Sequence, residues 1–134
     1  MIGIVIVAHG GLAAEYKSAV EHVLGPQEAM RSVSIGVNDN RDSKQQEICD
    51  AADAVDSGDG VVLVIDLFGS SPSNLSLRAC QPSGRKILYG ANLPMLVKLT
   101  KMRRKPLGAA VDAALTAGRK YLDTMDFEAQ ARPT

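Results

Sequence analysis

Tryptophan is absent from the sequence, and two phenylalanines with three tyrosines bring the aromatic share of its 134 residues to only 4%. Any core must therefore be built from Val, Ile, Leu, Ala and Met. Cysteine is nearly as scarce: Cys49 and Cys80 stand far apart, in no CxxC and with no histidine nearby. That excludes a disulfide framework and leaves both as small core or helix residues. Net charge is missing as well, since 15 Lys and Arg balance 15 Asp and Glu, and the basic footprint of a nucleic-acid binder is not there. The apolar run Ile4 to Ala8 is far too short to cross a bilayer. Met1-Ile2-Gly3-Ile4 lacks the basic start of a signal peptide, so a cytoplasmic protein without membrane insertion is expected. No G-x-x-x-x-G-K-[ST] loop is found, which disfavours direct use of a nucleotide. No Cys, His or carboxylate cluster has metal-ligand spacing. Neither a metal nor an organic cofactor is called for.

What is present is an ordinary globular balance, 46% hydrophobic and 22% charged, over a length that suits one domain. Ile2 to Ala8 and Val61 to Ile65 are apolar on both faces and rich in β-branched residues, the pattern of strands buried within a parallel sheet. Met30 to Val37 alternates more weakly, and Arg85 to Tyr89 reads as a short strand. Between the strands lie helical patterns. One carries Leu12, Tyr16, Ala19, Val20, Val23 and Leu24 at helical spacing and is stopped by Gly25-Pro26. A second buries Ile48, Ala51, Ala52 and Val55. A third starts at Ser71-Pro72, a fourth at Asn92 with Pro94 in its first turn, and a fifth near Pro106. This alternation predicts an α/β fold: a flavodoxin-like open parallel sheet of order 2-1-3-4 with helices on both faces. The domain spans residues 1–125, and 126–134 form a polar tail.

In such sheets a ligand site lies beyond the C-terminal ends of the strands, where strand order reverses. His9 directly follows the first apolar strand and Asp66 directly follows the third. In the 2-1-3-4 order these strands are neighbours, so the two side chains fall within reach of each other. A carboxylate beside an imidazole selects which ring nitrogen holds the proton and leaves the other free as a nucleophile. Gly10 and Gly11 would let another surface approach the imidazole. Three residues beyond Asp66, Gly69, Ser70 and Ser71 precede a helix and offer backbone and hydroxyl donors for phosphate oxygens, although a Ser-Ser-Pro run serves equally as a helix cap. His22 sits mid-helix beside Glu21 and reads as a surface residue. Lys98, Lys101, Arg103, Arg104 and Lys105 read as the solvated C-terminus of a helix.

The segments VIVAHGGLA, VLVIDLFGSSPSN and GANLPMLVKL, in that order, resemble the mannose-type enzyme IIA of the phosphoenolpyruvate-dependent sugar phosphotransferase system, over about residues 1 to 125. The resemblance implies that His9 is phosphorylated by the carrier protein HPr, that Asp66 is its paired aspartate, and that Ser71 contacts the phosphoryl group. It further implies transfer onward to a IIB protein, and a homodimer in which Gly118 to Met125 is exchanged as an antiparallel edge strand. Ala8 departs from the Ser or Thr usual in the family, and Gly-Ser-Ser-Pro from the common Gly-Gly-Ser-Pro. With the chain ending at Thr134, any IIB acceptor is expected to be a separate protein. Two other roles fit the same residues: a regulatory protein whose phosphorylation state controls a partner without sugar transport, and a phosphocarrier for a dihydroxyacetone kinase.

Overall fold

A computed structural model of the chain describes residues 1–67, 71–81 and 84–127, with only the backbone for 71–73. The elements run β1 (Gly3–His9), α1 (Leu12–Leu24), β2 (Met30–Ile35), α2 (Arg41–Val55), β3 (Val61–Ile65), α3 (Ser71–Ser76) with a 3₁₀ turn (Leu77–Cys80), β4 (Arg85–Tyr89), α4 (Leu93–Lys101) and α5 (Leu107–Lys120). The four strands form one parallel sheet in the order β2-β1-β3-β4, as the alternation predicts.

Strand periodicity explains why β1 and β3 are apolar throughout. Successive side chains point to opposite faces, and both faces are covered. Ile2, Ile4, Ile6 and Ala8 of the β1 segment, with Val62 and Val64 of β3, meet the side chains of α1, α4 and α5. Val5 and Val7, with Val61, Leu63 and Ile65, meet those of α2, α3 and the 3₁₀ turn. The helix boundaries follow local chemistry. Gly25 ends α1 at φ 86°, a conformation that costs a glycine little. The Asn40 side chain caps α2 by accepting from the Ser43 N–H at 2.9 Å, and Asn92 caps α4 by accepting from the Met95 N–H at 3.0 Å.

Four readings of the sequence need correction. In α1 the buried residues are Ala13 and Val20, whereas Leu12 and Val23 are exposed, so the helix is rotated relative to the expected apolar face. β2 stops at Ile35, and Val37 is fully solvent-exposed. Arg103 is not part of a solvated basic end. Its side chain is 4% exposed and its guanidinium donates to the carbonyls of Ile2, Glu28 and Ala29 at 2.8, 2.6 and 2.7 Å. Finally, Gly118 to Lys120 are the last turn of α5. The Asn92 amide donates to the Gly118 carbonyl at 3.1 Å, which holds that turn against the start of α4. Within the single chain Tyr121 to Met125 form no strand and are exposed.

Candidate functional site

The register between β1 and β3 pairs Val7 with Ile65, so the chain leaves β3 beside the last residues of β1. His9 is the final residue of β1 and Asp66 the first after β3. One oxygen of Asp66, Oδ2, accepts from the His9 backbone N–H at 3.0 Å and lies 2.9 Å from His9 Nδ1. The two predicted residues are thus brought together at the C-terminal edge of the sheet. The imidazole is half exposed, at 50%, while the Asp66 side chain is 12% exposed. Asp66 Oδ1 is buried and has no hydrogen-bond partner among the described residues.

Burial pushes the Asp66 carboxyl up, but the two bonds from His9 and the attraction of its ring outweigh this, and the net shift is downward. Asp66 is therefore ionised at neutral pH, and an ionised carboxylate can only accept hydrogen bonds. The Nδ1 side of the imidazole must then carry the proton it donates to Oδ2. In a neutral imidazole held this way the other nitrogen, Nε2, keeps its lone pair.

The backbone around His9 is held from the opposite side by β2. Gly10, at φ 57°, donates its N–H to the Ile35 carbonyl at 2.9 Å, and the Ser34 hydroxyl donates to the Gly10 carbonyl at 2.5 Å. A Cβ at Gly10 or Gly11 would meet no atom of the described residues within 4 Å beyond its own chain neighbours, so both glycines leave space beside the imidazole. Leu12, Val37 and Leu67, all exposed, belong to the segments that follow β1, β2 and β3 at this same edge.

Sequence reasoning missed Ser34 and the role of Tyr16. Ser34 alternates outward between Val33 and Ile35, which was legible, but its contact with Gly10 depends on how strands 24 residues apart are paired. In the sequence Tyr16 reads only as one of the apolar-face residues of a helix, yet its hydroxyl donates to the Ala91 carbonyl at 3.0 Å. Of the expected phosphate-binding residues, Gly69 and Ser70 lie outside the described residues, and Ser71 opens α3 without a described side chain. His22 is exposed on α1, as expected. Cys49 and Cys80 are free thiols, both partly buried. Among the described residues no three His, Cys, Asp or Glu side chains gather in a way that could hold a metal ion, and no helix is long and apolar enough to cross a membrane.

A family model described as "PTS system fructose IIA component" (EIIA-man) matches residues 3–115. YadI of Escherichia coli strain K12, which is named as a phosphotransferase enzyme IIA component, is 31% identical over 106 residues, 77% of this chain and 71% of that protein. The PTS system mannose-specific EIIAB component of the same organism is 28% identical over 103 residues, which are 76% of this chain but 32% of that protein. The chain thus spans about a third of the length of this second relative. The crystal structure of the phosphotransferase system component EIIA from Streptococcus agalactiae shares the fold, with a TM-score of 0.82 over 92% of this chain and 97% of that one at 23% identity.

Proposed function

The chain belongs to the family of PTS system fructose IIA components, the mannose-type enzymes IIA of the sugar phosphotransferase system, and from that membership we propose that it is a cytoplasmic phosphocarrier that takes a phosphoryl group from phospho-HPr on His9 and passes it to a IIB-type partner. The observation that carries this reading is the double hydrogen bond from His9 to a single oxygen of Asp66. It leaves Nε2 as the free nucleophile on a half-exposed ring, where a partner protein can bring its own phosphorylated side chain. Nε2 attacks the phosphorus with its lone pair. The bond from phosphorus to the donor side chain breaks as the Nε2–P bond forms, and the donor group leaves with the bonding electrons. Positive charge develops on the His9 ring, and the Asp66 carboxylate stabilises it through Nδ1–H. Delivery to the acceptor runs the same step in reverse. Phosphohistidine has a high transfer potential, so positioning and charge stabilisation suffice for catalysis.

Gly69 and Ser70, which follow Asp66 in the sequence, and Ser71, the first residue of α3, are assigned to the phosphoryl oxygens on their sequence pattern. Residues 1–125 are assigned to the carrier domain and 126–134 to a polar tail. Incubation with phosphoenolpyruvate, the general enzyme I and HPr should add the mass of one phosphoryl group in an acid-labile linkage. Peptide mapping should place it on His9, and phosphorus NMR should identify the Nε2 adduct. Recovery of the group on another residue would overturn the reading.

A homodimer belongs to the same proposal. Tyr121, Leu122, Met125 and Phe127 are exposed apolar side chains in the segment after α5, and β4 is an edge strand of the kind that invites another strand. A two-fold exchange would lend the same segment from each chain. Since Gly118 to Lys120 hold the end of α5, the informative truncation is after Tyr121. Light scattering should show a dimer for the full chain and a folded monomer for the truncated one. A truncated protein that stays dimeric places the contact elsewhere.

A further inference from the structure

We propose that Tyr16 is a positioning residue for the His9–Asp66 pair, a strut whose hydroxyl fixes the strand end from which Asp66 projects; the inference rests on the reading of His9 as the phosphoryl acceptor.

Among the described residues, Asp66 Oδ2 is engaged by His9 alone and Oδ1 has no partner. Its placement therefore depends on the backbone of β3, which ends one residue earlier at Ile65. Beyond the β3–β4 ladder, whose last register pair is Ile65 with Tyr89, the Ile65 carbonyl accepts from the Ala91 N–H at 3.0 Å. Ala91 lies in the loop between β4 and α4, and its own carbonyl accepts from the Tyr16 hydroxyl at 3.0 Å. Tyr16 stands on α1, the helix that begins three residues after His9, and its ring packs on the core between the sheet, α1 and α4. The contacts therefore form a closed circuit. It runs from His9 into α1, from Tyr16 to Ala91, from Ala91 to Ile65, and from Asp66 back to His9. Its two ends meet in the 2.9 Å contact at Nδ1.

Two further facts fit. Burial raises the Tyr16 phenol above its ordinary value, and the negative charge of Asp66 adds to the rise. The hydroxyl thus stays protonated and remains a donor across the physiological range, and it lies within the field of the carboxylate. The ring packs against the core and the hydroxyl alone reaches the Ala91 carbonyl, so the proposed role is assigned to the hydroxyl.

Tyr16→Phe removes the hydroxyl and keeps the ring. Two readouts separate positioning from stability. Nitrogen NMR of His9 should show a smaller share of the tautomer protonated at Nδ1, because the acceptor is held less firmly. Phosphoryl uptake from phospho-HPr should slow by about 5-fold, the factor equivalent to one ordinary hydrogen bond. In an Asp66→Asn background the same change should cost almost nothing, since a residue that acts through Asp66 cannot act once the carboxylate is gone. An unchanged His9 tautomer, or an equal slowing in both backgrounds, would overturn the proposal. A wild-type protein that takes up no phosphate on His9 defeats the functional reading instead, and the tautomer measurement then tests the strut without any phosphoryl transfer.

Discussion

Asp66→Asn is expected to slow phosphoryl uptake by His9 on the order of 100-fold, the lower end of what a well-placed proton-holding group contributes, while leaving the fold intact. Asparagine is nearly isosteric and its amide oxygen can still accept a hydrogen bond, so the side chain will occupy the same space. It cannot carry the negative charge that stabilises the ring as the N–P bond forms. Its amide can also turn its NH2 group toward Nδ1, which favours the tautomer with the proton on Nε2 and removes the attacking lone pair. Rapid-quench measurement of transfer from phospho-HPr, with circular dichroism to verify folding, checks this. Uptake within two-fold of the wild type would show that the pair seen in the structure does not take part in transfer. Stability should respond as well, and the sign is fixed. The folded-state pKa of Asp66 lies below its ordinary value, so its ionised form contributes stability above the unfolded carboxylate pKa of about 3.9. That contribution is lost as pH falls through the folded value. The asparagine variant lacks this contribution and should lose less stability than the wild type between neutral pH and about pH 3.

What was legible in the sequence follows from how much physics each feature shows locally. β1 and β3 announce themselves because a strand covered on both faces must be apolar at every position, and few other settings favour such a run of Val and Ile. Once the two strands are neighbours, His9 and Asp66 must come together, because each occupies the first polar position at the same end. The capping of α4 by Asn92 was legible for a similar reason, since cap chemistry is confined to a few consecutive residues. Ser34, Tyr16 and Arg103 were not legible in this way. Each makes its decisive contact with a backbone carbonyl remote in sequence, and a carbonyl leaves no mark in an amino-acid sequence. The rotation of α1 escaped because Leu12 and Val23 are as apolar as Val20, and periodicity alone does not say which of two overlapping stripes faces the sheet.

Arg103 yields the largest effect expected on stability. Arg103→Met should lower the unfolding free energy by about 3 kcal/mol, which for a domain of this size is a fall of about 10 °C in Tm. Methionine keeps most of the buried aliphatic stem and removes the cost of holding a cation away from water; that cost is visible in the downward shift that burial, aided by the nearby Arg104, imposes on the guanidinium. The gain does not compensate, because the acceptors stay behind. The carbonyls of Ile2, Glu28 and Ala29 each lose a short hydrogen bond. Ala29 keeps a bond from the Ile4 N–H at 3.1 Å, so the burden falls on the other two. These carbonyls precede β1 and β2, and the Ile2 N–H in turn donates to the Arg103 carbonyl at 2.9 Å. Arg103 therefore fastens the start of the sheet to the turn between α4 and α5. Arg103→Lys should fail to rescue much of the loss, since one ammonium cannot match a planar fork that reaches three separate carbonyls. Because this clamp sits at the N-terminal edge of the strands and His9 at the C-terminal edge, the folded fraction of either variant should take up phosphate at the wild-type rate. Urea unfolding measures the stability change. A methionine variant within about 1 kcal/mol of the wild type, the worth of one ordinary hydrogen bond, would mean that the three carbonyls find other partners and that the guanidinium is not what holds this edge together.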